Sequence, residues 1–163
     1  MMIHTFQSKE CFDVLVSGRE YFCDGRKLVF GKDFRPAYTY IIEKMKERGI
    51  KTRYPIWGWI KHNKYKKPRK FQDYVCLKLD VPDKLVLQSD FDMWHCVLND
   101  FPILDLNEEY DQYDKFSKSK QKEIKIKSWE NIFNIKKSKY VQACFPSIKL
   151  EYVKSWKICS TLE

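Results

Sequence analysis

The stretch SDFDMWHCVLND, residues 89–100, sets polar side chains of chemical use among apolar ones. At about 100° per residue on a helix, Phe91, Trp94, Val97, Leu98 and Phe101 fall in one arc, and Asp92, His95 and Asn99 form a row along its border. A border row is where a side chain can be held by a core and still touch a ligand. His95 has an unperturbed pKa near neutrality, so it can serve there as an acid, a base or a hydrogen-bond donor, with Asn99 one turn further on. The plainer reading is a cap followed by core: Ser89 with Asp92 three residues later fits a capping box. Cys96 beside His95 supplies the residue types of a nucleophile pair, but neighbouring helical residues point about 100° apart, which weakens that reading.

Two other sets stand out. Trp57 and Trp59 in YPIWGW point to one face of a strand, with Tyr54 on the opposite parity, and paired indoles can stack on a base or a nicotinamide ring as well as fill a core. Gln142 in YVQACF is an amide inside an apolar strand, and it must find hydrogen-bond partners or face a polar cleft. Metal chemistry is not expected: His4, His62 and His95 show no ligand spacing, and the cysteines at 11, 23, 76, 96, 144 and 159 lack the short gaps of a zinc site or a redox dithiol. The P-loop, dinucleotide-fold, hydrolase-elbow and zincin signatures are missing.

These residues need elements to position them. IHTFQ at 3–7 reads as a strand, with Ser8 as N-cap of a helix through Val16 that Gly18 ends. Residues 21–23 read as extended. Phe34, Ala37, Tyr38, Ile41 and Met45 recur at helical spacing before Gly49. YPIWGWIKH is aromatic and β-branched enough for a strand, with Gly58 marking a bulge or a close backbone approach. Val75, Leu77, Leu79 and Val81 alternate with polar neighbours, the period of a half-buried strand, and KLVLQ follows as a short one. The 89–100 helix should stop at Pro102, and an acidic connection runs to about residue 117. A helix with Ile126, Trp129, Ile132 and Phe133 on one side comes next. Strands at 140–145 and 152–158 close the chain around Pro146. The order lacks a βαβαβ rhythm, so the expected class is α+β: one domain over 1–163, about four helices and a mixed or largely antiparallel sheet that can be split.

Composition narrows the partners. A hydrophobic share of 44% excludes global disorder. No apolar stretch is long enough for a membrane span, and no export signal opens the chain, so a cytoplasmic setting with free thiols is expected. The net charge of +9 is clustered. KHNKYKKPRK at 61–70 offers Lys64, Lys66, Lys67, Arg69 and Lys70 as phosphate contacts, and KSKQKEIKIK at 118–127 is nearly as basic, which makes RNA or single-stranded DNA a candidate partner. DLNEEYDQYD at 105–114 carries five acids and no base, a surface for a protein partner.

The ordered set T-x-Q at 5–7, YPIWGW at 54–59, VPDK after its strand, SDFDMWHCVLN at 89–99, SWENIF at 128–133 and VQACF at 141–145 resembles a bacterial domain family of this length that has no assigned activity and occurs in scattered genomes and mobile elements. The likeness covers nearly the whole chain, although the family usually has tryptophan where this chain has His4. More distantly, the order of a first strand ending in a polar triplet, a short glycine-closed helix, an aromatic central strand and a late strand with one polar residue is similar to the ADP-ribosyltransferase superfamily. That resemblance implies NAD as co-substrate in a cleft of a split antiparallel sheet and a nucleic acid or protein as target. Thr5 or Gln7 would stand at the first-strand position, Tyr54 or Trp57 would stack on the nicotinamide, and Gln142 would stand near the late catalytic position. The superfamily usually has glutamate there. Glu151 lies nine residues further on.

Overall fold

The computed structural model describes residues 1–25, 34–61, 73–105 and 107–160. Strand β1 (Met2–Ser8) leads directly into helix α1 (Lys9–Val16), because Ser8 leaves the strand in an extended conformation and its hydroxyl accepts the Cys11 amide. A short strand β2 (Tyr21–Phe22) precedes α2 (Arg35–Glu47). Then come β3 (Ile56–Lys61), β4 (Asp73–Asp80), β5 (Leu87–Asp90) and α3 (Phe91–Leu98). Helices α4 (Asn107–Tyr113) and α5 (Lys118–Ser128) follow, with a 3-10 segment Trp129–Phe133 continuing α5. Strands β6 (Val141–Phe145), β7 (Ser147–Ile148) and β8 (Val153–Ser160) complete the order.

Six strands form one antiparallel sheet in the order β5-β6-β3-β1-β4-β8, and β2 pairs with β7 apart from it. The class is α+β, as expected. Each face of the sheet carries its own core. On one face Ile3, Val75, Leu77, Leu79, Ala143 and Phe145 pack with Cys11 and Leu15 of α1. The period-2 reading of β4 therefore holds, with Val75, Leu77, Leu79 and Val81 all fully buried. On the other face α2, α3 and the 129–133 segment cover Leu87, Cys144 and Trp57 of β5, β6 and β3.

Three helix ends share one geometry. After α1 and α2 the chain turns through Gly18 (φ +76°) and Gly49 (φ +77°), and the amides of each glycine and of the residue after it reach back to carbonyls of the last turn. After α3 the same left-handed position is held by Asp100 (φ 59°), with the Asp100 amide donating to Val97 O and the Phe101 amide to Cys96 O. A short polar residue tolerates this backbone better than other non-glycine residues. Asp100 also receives Lys125 Nζ at 2.6 Å, which ties the end of α3 to α5.

The structure corrects several expectations. The N-cap of α3 is Asp90, whose carboxylate accepts the Met93 amide at 2.8 Å, and Ser89 is the last inward residue of β5 before it. Phe101 lies beyond the helix end and is 62% exposed, because the turn at Asp100 carries it off the buried arc. Ile126 is also exposed, since α5 rests on the molecule by its Trp129 end. The acidic stretch read as a connection contains α4. In α2 the buried face is Ala37, Tyr40, Ile41 and Met45, with Tyr38 half-buried beside it.

Candidate functional site

Strands β1 and β3 share a single register pair, His4 opposite Trp59, whereas β1 and β4 run in register from Met2 opposite Asp80 to Ser8 opposite Tyr74. Beyond His4 the β1–β3 ladder stops, and the Thr5 side chain meets the β3 backbone in its place. Beside this break is a cleft of about 250 Å³ lined by Thr5, Phe6, Trp57, Gly58, Trp59, Phe91 and Gln142. Where the strands pair they touch closely: a Cβ on Gly58 would overlap Ile3 Cγ2 and stand 3.0 Å from His4 O. The close backbone approach expected at Gly58 is therefore real.

The two tryptophans share a face but have different surroundings. Trp57 packs into the helical core, its rings 5.0 Å from Trp94 and 6.4 Å from Tyr38. Trp59 meets Phe91 at 4.7 Å. A buried indole N–H normally finds a partner, yet Trp57 Nε1 is buried with no hydrogen bond formed among the described residues. The nearby Tyr38 hydroxyl has its pKa raised by burial.

Polar groups enter the cleft from separate strands. Thr5 is 1% exposed and its hydroxyl donates to Trp57 O at 2.7 Å, which pins the two strands where their own ladder has stopped. Gln7 Nε2 donates to Thr5 Oγ1 at 2.7 Å, so the T-x-Q triplet acts as one chain of hydrogen bonds although Gln7 is not in the lining. Gln142 of β6 stands opposite Trp59 of β3 and opposite Ser89 of β5, and its Nε2 donates to the fully buried Ser89 hydroxyl at 3.2 Å. Among the described residues, none that lines the cleft is charged. This neutral, aromatic-walled slot can stack a planar ring and hydrogen-bond its edge.

Other expected site residues lie elsewhere. His95 is exposed on α3. Its Nδ1 pairs with Phe91 O at 2.8 Å, so the nitrogen carries the proton, and its ring rests on the edge of Phe91. Asn99 is exposed, and its amide donates to His95 O at 2.7 Å. Both side chains are satisfied by their own helix. Burial raises the Cys96 thiol pKa, which disfavours a nucleophilic thiolate beside His95. The ring of Tyr54 lies against Gly25, where any Cβ would overlap it, outside the cleft. Glu151 lies in a 3-10 turn beside Gly18 and Arg19, so Gln142 alone of the two candidates reaches the cleft. Lys64, Lys66, Lys67, Arg69 and Lys70, with His62, fall outside the described residues. Among the described residues no group of three His, Cys, Asp or Glu side chains could hold a metal ion.

Sequence reasoning missed Ser89, Phe6 and Phe91 as parts of the site. The parity of LQSD held a signal, since Leu87 and Ser89 share a face and a buried hydroxyl needs a partner.

The model of one family, described as a domain of unknown function (DUF3841), matches residues 2–157. The chain belongs to that family. No curated protein and no solved structure matches it. The match to DUF3841 spans β1 through most of β8, so it takes in every wall of the cleft. Among the described residues of this DUF3841 domain, no helix is long and apolar enough to cross a membrane.

Proposed function

We propose that this DUF3841 domain is an ADP-ribosyltransferase-like protein whose β1–β3 cleft receives the nicotinamide ring of NAD. The observation that carries the reading is the aromatic slot beside the end of the β1–β3 ladder at His4, to which an antiparallel sheet brings Thr5 and Gln142 from strands far apart in sequence. The group fits in part. About 250 Å³ takes one ring and falls below the roughly 300 Å³ at which sites for drug-sized ligands begin, so the rest of a dinucleotide would lie outside the slot.

Trp59 and Phe91 would stack on the ring, and Trp57 would close the inner wall. Ser89 holds the Gln142 amide in place, and that amide would hydrogen-bond the bound nucleotide. Thr5, held by Gln7, ties β1 to β3 and so sets the width of the slot. When bound, NAD supplies an ADP-ribosyl group with nicotinamide as leaving group, and a nucleic acid or protein would be the acceptor. With a glutamine in place of a carboxylate, the protein contributes hydrogen bonding and orientation but no negative charge beside the reacting centre. Five free cysteines among the described residues suit the cytoplasmic setting we propose.

The neutral, aromatic lining formed by the described residues favours a second reading, in which the same slot holds an unstacked base of RNA or single-stranded DNA and no chemistry follows. One pair of measurements separates the two. Tryptophan fluorescence titrated with NAD and with nicotinamide should quench, and nicotinamide should appear when NAD and a cell lysate are supplied. Gln142→Ala and Trp59→Ala should abolish both signals, and His95→Ala should leave them intact. Quenching by mononucleotides without nicotinamide release would replace the first reading by the second. No quenching by any nucleotide would end both.

A further inference from the structure

A second cavity lies at the other end of α3. Phe91, at the start of this helix, lines the cleft, and Asp100, just past its end, lines a groove of about 710 Å³ between α2 and α5. Eight helical residues separate the two by about 12 Å. The groove does not share a lining residue with the cleft, and its chemistry is opposite: it is charged.

Helix α5, KSKQKEIKIKS, carries five lysines and one acid and buries none of its residues. Such a helix gains little from packing, so its charge pattern needs a reason beyond the fold. Lys118, Lys122 and Lys125 recur at i, i+4 and i+7, which puts them on one side, and that side faces the groove. Arg35 at the start of α2 faces them across it. Lys125 is taken by Asp100. Lys118 reaches only the neutral Gln121 amide, at 3.4 Å, and neither Lys122 nor Arg35 forms an ion pair among the described residues. Among the described residues Glu43 is the remaining acid of the lining, so three cations without an ion pair there face one carboxylate.

The groove also offers flat apolar surface. Half-buried Tyr113 and Ile126, 41% exposed, lie between the cations. A small anion would use the charges and leave this surface in water. A chain that alternates phosphates with planar bases would use both.

We infer that the α2–α5 groove docks a single strand of nucleic acid, with Arg35, Lys118 and Lys122 on phosphates and Tyr113 against a base. The inference stands apart from the cleft: it holds whether or not NAD binds there. It also gives the basic surface a location distinct from the 61–70 segment.

The test is fluorescence anisotropy of a labelled 20-nucleotide strand, DNA and RNA in turn, titrated with the full-length protein at 50, 100 and 200 mM salt. The wild type should bind with a steep salt dependence. The combined variant Arg35→Glu, Lys118→Glu, Lys122→Glu should bind more than tenfold more weakly, with the log–log salt slope smaller by about 2, as loss of three phosphate contacts on a single strand requires. Its melting curve and its fluorescence response to nicotinamide should match the wild type, which separates failure here from failure of the cleft reading. Tyr113→Ala should weaken the strand several-fold and leave inorganic polyphosphate unaffected. Binding of the triple variant at wild-type strength would overturn the inference. So would polyphosphate binding as tightly as the strand with Tyr113→Ala neutral for both, because the groove would then hold charge without reading bases.

Discussion

Two sets of polar residues, one on strands and one on a helix, share comparable types and differ in every other respect. Thr5, Ser89 and Gln142 sit on strands, are buried, and bond to groups on other strands. Asp92, His95 and Asn99 sit on α3 and are exposed, and the last two bond to carbonyls of their own helix. The cause is geometric. A helix presents a carbonyl four residues back to any side chain that can reach it, so a polar residue on its border can be satisfied locally. A strand offers its inward side chains nothing of the kind. Apart from a same-face neighbour two residues away, as Gln7 is to Thr5, a polar group buried on a strand must be met from a neighbouring strand or from a ligand, and it therefore marks where strands meet. Gln142 is the informative polar residue of this chain for that reason, and His95 is not.

The sharpest way to break the strand side is Gly58→Ala. The added methyl would meet the branched, fully buried Ile3 side chain and the His4 carbonyl, and neither can move without shifting β1. We expect a loss of about 3 kcal/mol, the upper end for overpacking, read by urea denaturation. A loss under 0.5 kcal/mol would mean that β1 and β3 slide freely and that the cleft has no set width.

Next in size, Gln142→Leu should cost about 2 kcal/mol, because it leaves the buried Ser89 hydroxyl without a partner. Adding Ser89→Ala should return most of it, since removing both partners of a buried bond is far cheaper than removing one. The helical counterparts His95→Ala and Asn99→Ala should each stay within about 0.5 kcal/mol of wild type, as exposed sites do. Equal losses on helix and strands would erase the comparison.

A smaller effect tests which residue begins α3. Asp90→Ala removes the acceptor of the Met93 amide and should cost about 1 kcal/mol. Replacing Asp92, which the capping-box reading makes a partner of the cap, should cost much less. If Asp92→Ala proves the costlier of the two by thermal melting, the capping box is the true device.

Much of the fold was legible because periodicity and punctuation agreed. Ser8 followed by apolar residues, glycines at 18 and 49, and the alternation of 75–81 each describe a local event, and each appears at the expected place. The errors lie where tertiary contact overrides a local pattern. Ser89 and Asp90 are both good caps, and the choice between them was made by a partner 53 residues away. Asp100 took a position that elsewhere belongs to glycine, which hid the end of α3 and left Phe101 in the wrong arc. Of the site, Gln142 and the tryptophan pair were readable from parity, and Thr5 with Gln7 came through the family resemblance. Phe6 and Phe91 were not readable, because only the tertiary arrangement of β1, β3 and α3 gives them a common space.

The smallest effect concerns His4, a titratable strand residue beside the cleft, paired with Trp59 on one side and Lys78 on the other. Burial, helped by the positive charge of Lys78, lowers its pKa below the usual 6.5. The folded chain then binds fewer protons than the unfolded chain between the lowered value and 6.5, so the unfolded state gains as pH falls through that window. Stability from this group is complete above pH 6.5 and declines on acidification. Because the ring is partly solvated, the decline is a small fraction of the total stability. Urea midpoints at pH 7.5 and 5.5 should therefore fall less for His4→Gln than for the wild type. An equal fall in both would show that the strand pairing at the mouth of the cleft does not discriminate between neutral and charged imidazole, and that its pull on the cleft is steric alone.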